Sequence, residues 1–288
     1  MDEAQNPQAA QPEECELGRL LRLWRAKRGM SQLDLATAAD VSSRHISFIE
    51  NGRSNATVDM VLRLAGVLEV PVRDRNSLLT AAGYAPMYRE IGLEAPEREQ
   101  IYTALRTFLE NQEPFSAFVI DRQFNVILTN QAFERRIALF VDAEKLWGKE
   151  PRNVVHLFLS KHGFRPYVEN WQSVAQWALE QVYRQAHDGI GDPASQHLFE
   201  KFLDYPDVRK LWRVPPPDYM YPPVLQITLR KFGLSLGTFF IMTTFGTSQD
   251  VYLQELRVVC GYPTNEAARR FALWLAKTRG KRALSDFK

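Results

Sequence analysis

From Leu17 to Gly83 the chain is cut by start and stop signals into pieces short enough only for small helices, and this punctuation constrains the fold most. Leu17, Leu20, Leu21 and Trp24 recur at three- and four-residue intervals, which places them on one face of a helix that Gly29 stops. Ser31, with Asp34 three residues on, forms a capping box for a second helix, each side chain satisfying the other residue's backbone N–H. The expected inner side of that helix is Leu33, Ala36 and Ala39. Asp40-Val41 then makes a tight turn, because Asp tolerates left-handed backbone. Ser42 caps a third helix that turns Ile46 and Ile49 inward and closes at Gly52. A fourth, from Thr57, presents Val58, Val61, Leu62, Ala65 and Leu68 and stops before Pro71, and a fifth carries Leu78, Leu79 and Ala82 up to Gly83. Five short helices over this span make an all-α domain.

The expected boundaries are 1–14, a disordered leader with Pro7 and Pro12 and no apolar periodicity; 15–83, the helical domain; 84–112, a linker with a connecting helix over Glu97–Glu110; 113–277, a second domain; and 278–288, a basic tail. In the second domain, Phe115–Ile120 and Val126–Thr129 read as a hairpin, and a long helix follows over Asn170–His187. Two shorter helices are expected over Asp192–Trp212, then strands at Val224–Phe232, Leu234–Phe245 and Tyr252–Gly261, with turns at Gly233 and Gly246–Asp250. A final helix spans Thr264–Lys277. Two strands, helices and three strands give an α+β domain, a five-stranded antiparallel sheet with helices packed on one face.

Composition narrows the function by exclusion. With 45% hydrophobic and 24% charged residues, the chain falls outside the disordered, collagen-like and membrane classes. Cys15 and Cys260 are too few for a disulfide framework, and the acidic N-terminus lacks the features of a signal peptide, so a cytoplasmic protein is expected. His45, His156, His162, His187 and His197 are scattered, and His187, Asp188, Asp192 and His197 read as polar helix ends rather than a metal site. Gly233-Leu234-Ser235-Leu236-Gly237 matches a nucleophile-elbow pattern, but a strand-like run follows it and no histidine comes later. No catalytic set, metal or cofactor is therefore expected. The net charge of +2 disfavours nucleic acid taken whole, yet Leu17–Asn55 holds seven basic residues against three acidic ones. Such a local excess is the footprint of a phosphate-contacting face, or else a solvated helix surface.

The run LGRLLRLWRAKRGMSQLDLATAADVSSRHISFIENGRS, followed by TVDMVLRLAGVLEVP, resembles the helix-turn-helix of the Xre/Cro repressor family. The matching marks are Ser31-Gln32, Ala36, Val41-Ser42, Ile46-Ser47 and Glu50-x-Gly52. The resemblance implies that Gln32 contacts phosphate, and that Ser43 and Arg44, at the start of the recognition helix, reach base edges in double-stranded DNA. Arg44 has the geometry for a bidentate contact to guanine. His45 and Phe48 follow on or beside the exposed side, where Phe48 touches a thymine methyl or packs within the domain. Ser42 and Ser47 are phosphate contacts or caps, and Arg53 and Asn55 lie in a loop where backbone contacts are usual. Arg25 and Glu50 occupy the positions of an interhelical ion pair. Paired half-sites imply a homodimer.

The segments LTAAGYAPMYRE, NVVHLFLSKHGFRPYVENWQSVAQWAL and MTTFGTSQDVYLQELRVVCGYPTNEA resemble the MmyB-type transcription regulators, in which a helix-turn-helix precedes a PAS-like ligand-binding domain. That resemblance implies a small hydrophobic, fatty-acyl-like ligand, with Trp171, Phe240 and Met242 on the walls of a cavity and Arg165 near a carboxylate end; each is otherwise an ordinary core or surface residue. The expectation is a ligand-sensing transcription regulator. The alternative is a constitutive DNA-binding regulator whose second domain serves only dimerisation or protein docking.

Overall fold

A computed structural model describes residues 15–88, 96–187, 193–213, 225–231, 233–245 and 250–277. The leader and basic tail lie outside them, as do Asp188, Asp192, Phe232 and the 246–249 turn. The chain forms two compact units, residues 1–89 and 90–288.

The first unit is α1 (Glu16–Lys27), α2 (Gln32–Ala38), α3 (Ser43–Glu50), α4 (Val58–Val67) and α5 (Val72–Ala81). The punctuation is local chemistry. Ser31 Oγ accepts from the Asp34 N–H at 3.1 Å, and Asp34 Oδ2 accepts from the Ser31 N–H at 2.8 Å. Those bonds to Ser31 hold the Asp34 carboxyl below the usual carboxylate range. Gly29 (φ +63°) and Asp40 (φ +52°) take the left-handed backbone that ends α1 and turns α2 into α3. Ser42 and Thr57 cap α3 and α4 through the N–H groups of His45 and Met60. The core holds Leu21, Leu35, Ile46, Ile49, Leu64 and Leu78, all fully buried.

One inner position differs from expectation. Leu33 is 64% exposed, and Leu35 takes its place beside Ala36 and Ala39. At 3.6 residues per turn, Leu33 lies roughly 160° round the helix from Leu35, so burying one exposes the other.

The second unit runs α6 (Pro96–Glu110), β1 (Ala117–Ile120), β2 (Val126–Thr129), α7 (Gln131–Phe140), α8 (Ala143–Trp147), α9 (Val154–Leu159), a 3₁₀ turn at Arg165–Tyr167, and α10 (Trp171–His187). It continues α11 (Pro193–Leu203), α12 (Val208–Leu211), β3 (Leu225–Lys231), β4 (Leu234–Thr244), α13 (Val251–Glu255), β5 (Arg257–Pro263) and α14 (Glu266–Lys277). The five strands form one antiparallel sheet in the order β2-β1-β5-β4-β3. Lys231 pairs with Leu234 across the Gly233 turn, so Ser235 sits in a strand and the elbow pattern has no strand-to-helix turn.

Both faces of the sheet are covered, not one. Period-two alternation sends Phe118, Ile120 and Val259 into a large core with α7, α9, α10 and α14, while Ala117, Val119, Val258 and Cys260 meet α6 and α13 on the other side. The expected strand over Tyr252–Gly261 begins only at Arg257. Before it, Asp250 Oδ1 accepts from the Leu253 N–H at 3.0 Å and caps a short helix, whose Tyr252 and Leu253 face the second core. A side-chain cap there overrides the β propensity of Val-Tyr-Leu.

Candidate DNA-reading face and ligand cavity

On α3, Ser43 and Arg44 occupy the exposed first turn, with half-buried Ser47 and Phe48 one turn on along the same side. Ile46, Ile49 and Glu50 point inward. The Arg44 guanidinium lies 5.1 Å from the centroid of the Phe48 ring, so Phe48 lies against an outward-facing cation. Ser42 is exposed and bonded to the half-buried His45 through the cap. The Ser47 carbonyl and hydroxyl accept from Asn51 Nδ2 at 2.8 and 3.3 Å. Beyond the helix, Gly52 (φ +67°) lets the Arg53 N–H return to the Phe48 carbonyl at 2.8 Å, leaving the Arg53 and Asn55 side chains exposed in the loop.

Behind this face lies a three-residue network. Glu50, with a side chain 0% exposed, accepts from Arg25 Nε at 2.9 Å and Arg25 Nη2 at 3.2 Å. Gln32 Nε2 donates to the same carboxylate at 2.7 Å, so the residue expected at a phosphate spends one amide N–H on Glu50; the amide has a second. Arg22 Nη1 donates to the Glu50 carbonyl at 2.6 Å. The α1 backbone meets α3 at Gly18, where a Cβ would stand 2.6 Å from the Glu50 carbonyl carbon. Helix α3 is thus fixed against α1 at its C-terminal end, and its N-terminal end faces out.

Most of the local basic excess has internal work. Arg19 pairs with Glu16 at 2.7 Å, and Arg28 donates to the Leu68 and Glu69 carbonyls at 2.8 and 2.9 Å. With Arg22 and Arg25, at least four of the seven cations bond within the protein.

In the second unit a cavity of about 420 Å³ lies between the sheet and α10. Phe118, Ile227 and Phe240 from the sheet, Val174 and Trp177 from α10 and Phe158 from α9 form much of its wall. Its polar lining is Gln181 and Arg184. Arg184, Ile241 and Met242 are exposed as well as lining, so they mark its rim. Volume and apolar lining suit a small organic ligand. Phe240 and Met242 thus stand on the cavity; Trp171 and Arg165 do not. Trp171 Nε1 donates to the Phe158 carbonyl at 3.0 Å, and its ring lies 3.9 Å beneath the Arg165 guanidinium. Arg165 in turn is held by the Pro206 carbonyl at 2.8 Å and Asp207 at 3.3 Å. Among the described residues no cluster of three or more His, Cys, Asp or Glu is placed to hold a metal, and no helix is long and apolar enough to cross a membrane.

Residues 101–274, more than half of the chain, match the family model of the MmyB-like transcription regulator ligand binding domain. The chain belongs to the MmyB-like transcription regulators. Residues 21–74 of this regulator match a helix-turn-helix model. The chain is also 30% identical over 102 residues to the HTH-type transcriptional regulator SlrR of Bacillus subtilis; that match spans 35% of this chain and 64% of SlrR. The MmyB-like regulator accordingly joins a helix-turn-helix to a ligand-binding domain. Its cavity residues Trp177, Gln181 and Arg184 escape a reading of the sequence, although their spacing, i, i+4, i+7, on the long helix puts them on one stripe.

Proposed function

We propose that this regulator binds a two-half-site operator in double-stranded DNA as a cytoplasmic homodimer and that a small hydrophobic, fatty-acyl-like molecule in the second unit changes its DNA affinity. Ser43 and Arg44 read base edges in the major groove, with Phe48 against a thymine methyl and His45 beside it. Gln32, Ser42, Ser47, Arg53 and Asn55 contact phosphates, which fix register without reading sequence. The two recognition helices sit one helical turn of DNA apart, about 34 Å. A ligand acts by binding one relative placement of these helices more tightly than another, since equal affinity for both shifts nothing.

The observation that carries the reading is the cavity: about 420 Å³, with an apolar wall open at a rim, in a domain whose family binds ligands. Native mass spectrometry of the purified full chain tests it, combined with operator titration before and after delipidation. A bound small molecule, and an operator affinity that changes when it is stripped, support sensing. An empty protein whose operator affinity ignores added fatty acids supports a second unit used only for dimerisation or docking.

A further inference from the structure

The chain does not leave the first unit loosely. Gly83 (φ +85°) turns it back at the end of α5: the Gly83 N–H donates to the Thr80 carbonyl and the Tyr84 N–H to the Leu79 carbonyl, both at 2.9 Å, the two bonds of a Schellman ending. Pro86 then fixes its own φ and favours extended backbone at Ala85, and the chain runs back along the helix. There the side chain of Asn76 captures the backbone of Met87 and Tyr88. Its Oδ1 accepts from the Met87 and Tyr88 N–H groups at 3.1 and 3.0 Å, and its Nδ2 donates to the Tyr88 carbonyl at 2.9 Å. The Met87 side chain is 57% exposed, so these bonds and not its burial hold the segment. Arg75 adds a bond from Nη1 to the Tyr88 hydroxyl at 3.3 Å. At the near end the Tyr84 hydroxyl donates to the Ala56 carbonyl at 3.0 Å, and Ala56 directly follows Asn55 in the loop beyond α3. Residues 84–88 are thus fastened to α5 and to that loop. They lie between the stretches that match the two family models, so neither domain match accounts for them.

Resting on the reading of this regulator as a dimer on a two-half-site operator, we propose that Asn76 is a positioning residue for DNA recognition. By tying Met87 and Tyr88 to α5 it fixes the point at which the chain leaves the reading unit, and so sets which spacing of half-sites two joined units accept. Chain length gives the magnitude. With Tyr84 still held, releasing Asn76 frees Ala85–Tyr88, and four extended residues give roughly 13 Å of added reach in each protomer. Lengthening the spacing by three base pairs moves a half-site by roughly 10 Å along the duplex and turns it by about 100°. Slack from two protomers exceeds that displacement, and a fixed exit point supplies none. One side chain suffices because its three bonds close on two adjacent residues, so the entropy of ordering them is lost once. Leucine at position 76 keeps the shape and none of the bonds, whereas aspartate keeps both acceptor bonds and loses only the donor.

The test is gel-shift titration of the full chain. Its half-site is obtained by selection from random duplex DNA, and duplexes then carry one half-site, two at the selected spacing, or two set three base pairs farther apart. The wild type is expected to lose about 100-fold in affinity at the altered spacing, the lower end of what linked binding gains. Asn76→Leu loses under about 10-fold and binds the single half-site within about threefold of wild type. It also frees the Met87 and Tyr88 amides, whose hydrogen exchange the three bonds slow by roughly 10- to 100-fold in the wild type. Asn76→Asp keeps the spacing preference and the protection within about threefold, and it decides the matter should the leucine variant fail to fold. Three results overturn the role of Asn76 while the two-half-site operator stands: spacing discrimination in Asn76→Leu as sharp as in a discriminating wild type, loss of it in Asn76→Asp with both amides still protected, or a wild type that is indifferent to spacing or exchanges those amides freely. Selection that returns a lone half-site overturns the operator reading together with the proposal.

Discussion

Replacing Glu50 with Gln keeps the shape of the side chain and removes its charge from a site that is 0% exposed. Two bonds from Arg25 and one from Gln32 converge on that carboxylate, at 2.9, 3.2 and 2.7 Å. Breaking a buried pair by removing one partner costs about 3–5 kcal/mol, because the other charge stays behind unmatched. Here the cost lies at or below the bottom of that range. Arg25 retains 18% exposure and its bond to the Met30 carbonyl at 2.9 Å, so water and backbone recover part of the loss. We expect about 2–3 kcal/mol, which for a helical unit of this size lowers its melting temperature by roughly 10–20 °C. Replacing both partners by apolar groups, Arg25→Met with Glu50→Leu, should return stability to within about 1 kcal/mol of wild type, since the desolvation cost goes with the charges. Amide hydrogen exchange at Ile46 and Ile49 in the full chain isolates this unit from the second. A Glu50→Gln loss below about 0.5 kcal/mol would falsify the buried-pair reasoning. A double variant as unstable as the single one would instead show that the polar network is needed as such.

Arg44→Ala should lose about 1–3 kcal/mol of preference at one base pair per half-site, measured by titrating operators changed one position at a time. Uniform weakening over all sequences would reduce Arg44 to a phosphate contact. Gly18→Ala should destabilise the first unit by about 3 kcal/mol in urea unfolding, because the added methyl meets backbone that cannot rotate away. An unchanged midpoint would mean that α1 and α3 separate easily. Leu35→Ala should cost about 2–5 kcal/mol and Leu33→Ala under about 0.5, and comparable losses would contradict the exposure of Leu33. Phe240→Trp should fill cavity volume and weaken dodecanoate binding with little change in stability; unaltered binding would place the hydrocarbon elsewhere.

What was legible in the sequence was whatever rests on neighbours in the chain. Capping by Ser31, Asp34 and Ser42, the left-handed turn at Asp40 and the apolar stripe of α1 all depend on contacts within four residues, and the helical unit follows from them. The fold departs from local expectation where a local preference has two solutions and tertiary packing chooses. In a helix of seven residues, either Leu33 or Leu35 satisfies periodicity, and only the neighbouring helices select Leu35. Val251-Tyr252-Leu253 suits a strand, yet the Asp250 cap and the second core make it helical. The ligand site was the least legible. The family resemblance implies a carboxylate near Arg165, but Arg165 is held by Pro206 and Asp207, more than forty residues away.

The charge of the first unit shows the same limit. Seven cations against three acids between Leu17 and Asn55 resemble a phosphate-binding surface when counted. In the fold, Arg22 and Arg25 hold the end of α3, Arg28 caps α4 through backbone carbonyls, Arg19 is tied to Glu16, and Lys27 lies over Trp24. Of the seven, Arg44 and Arg53 are the exposed cations on and just beyond the recognition helix. Two members of the excess, Arg22 and Arg25, therefore hold α3 in place, and others bond elsewhere within the unit. A helix anchored at its C-terminal end by a buried carboxylate presents Ser43 and Arg44 on its exposed N-terminal turn, and the proposed reading of bases rests on these few well-placed groups. Recognition on such a face rests more on where the helix is held than on how much positive charge surrounds it.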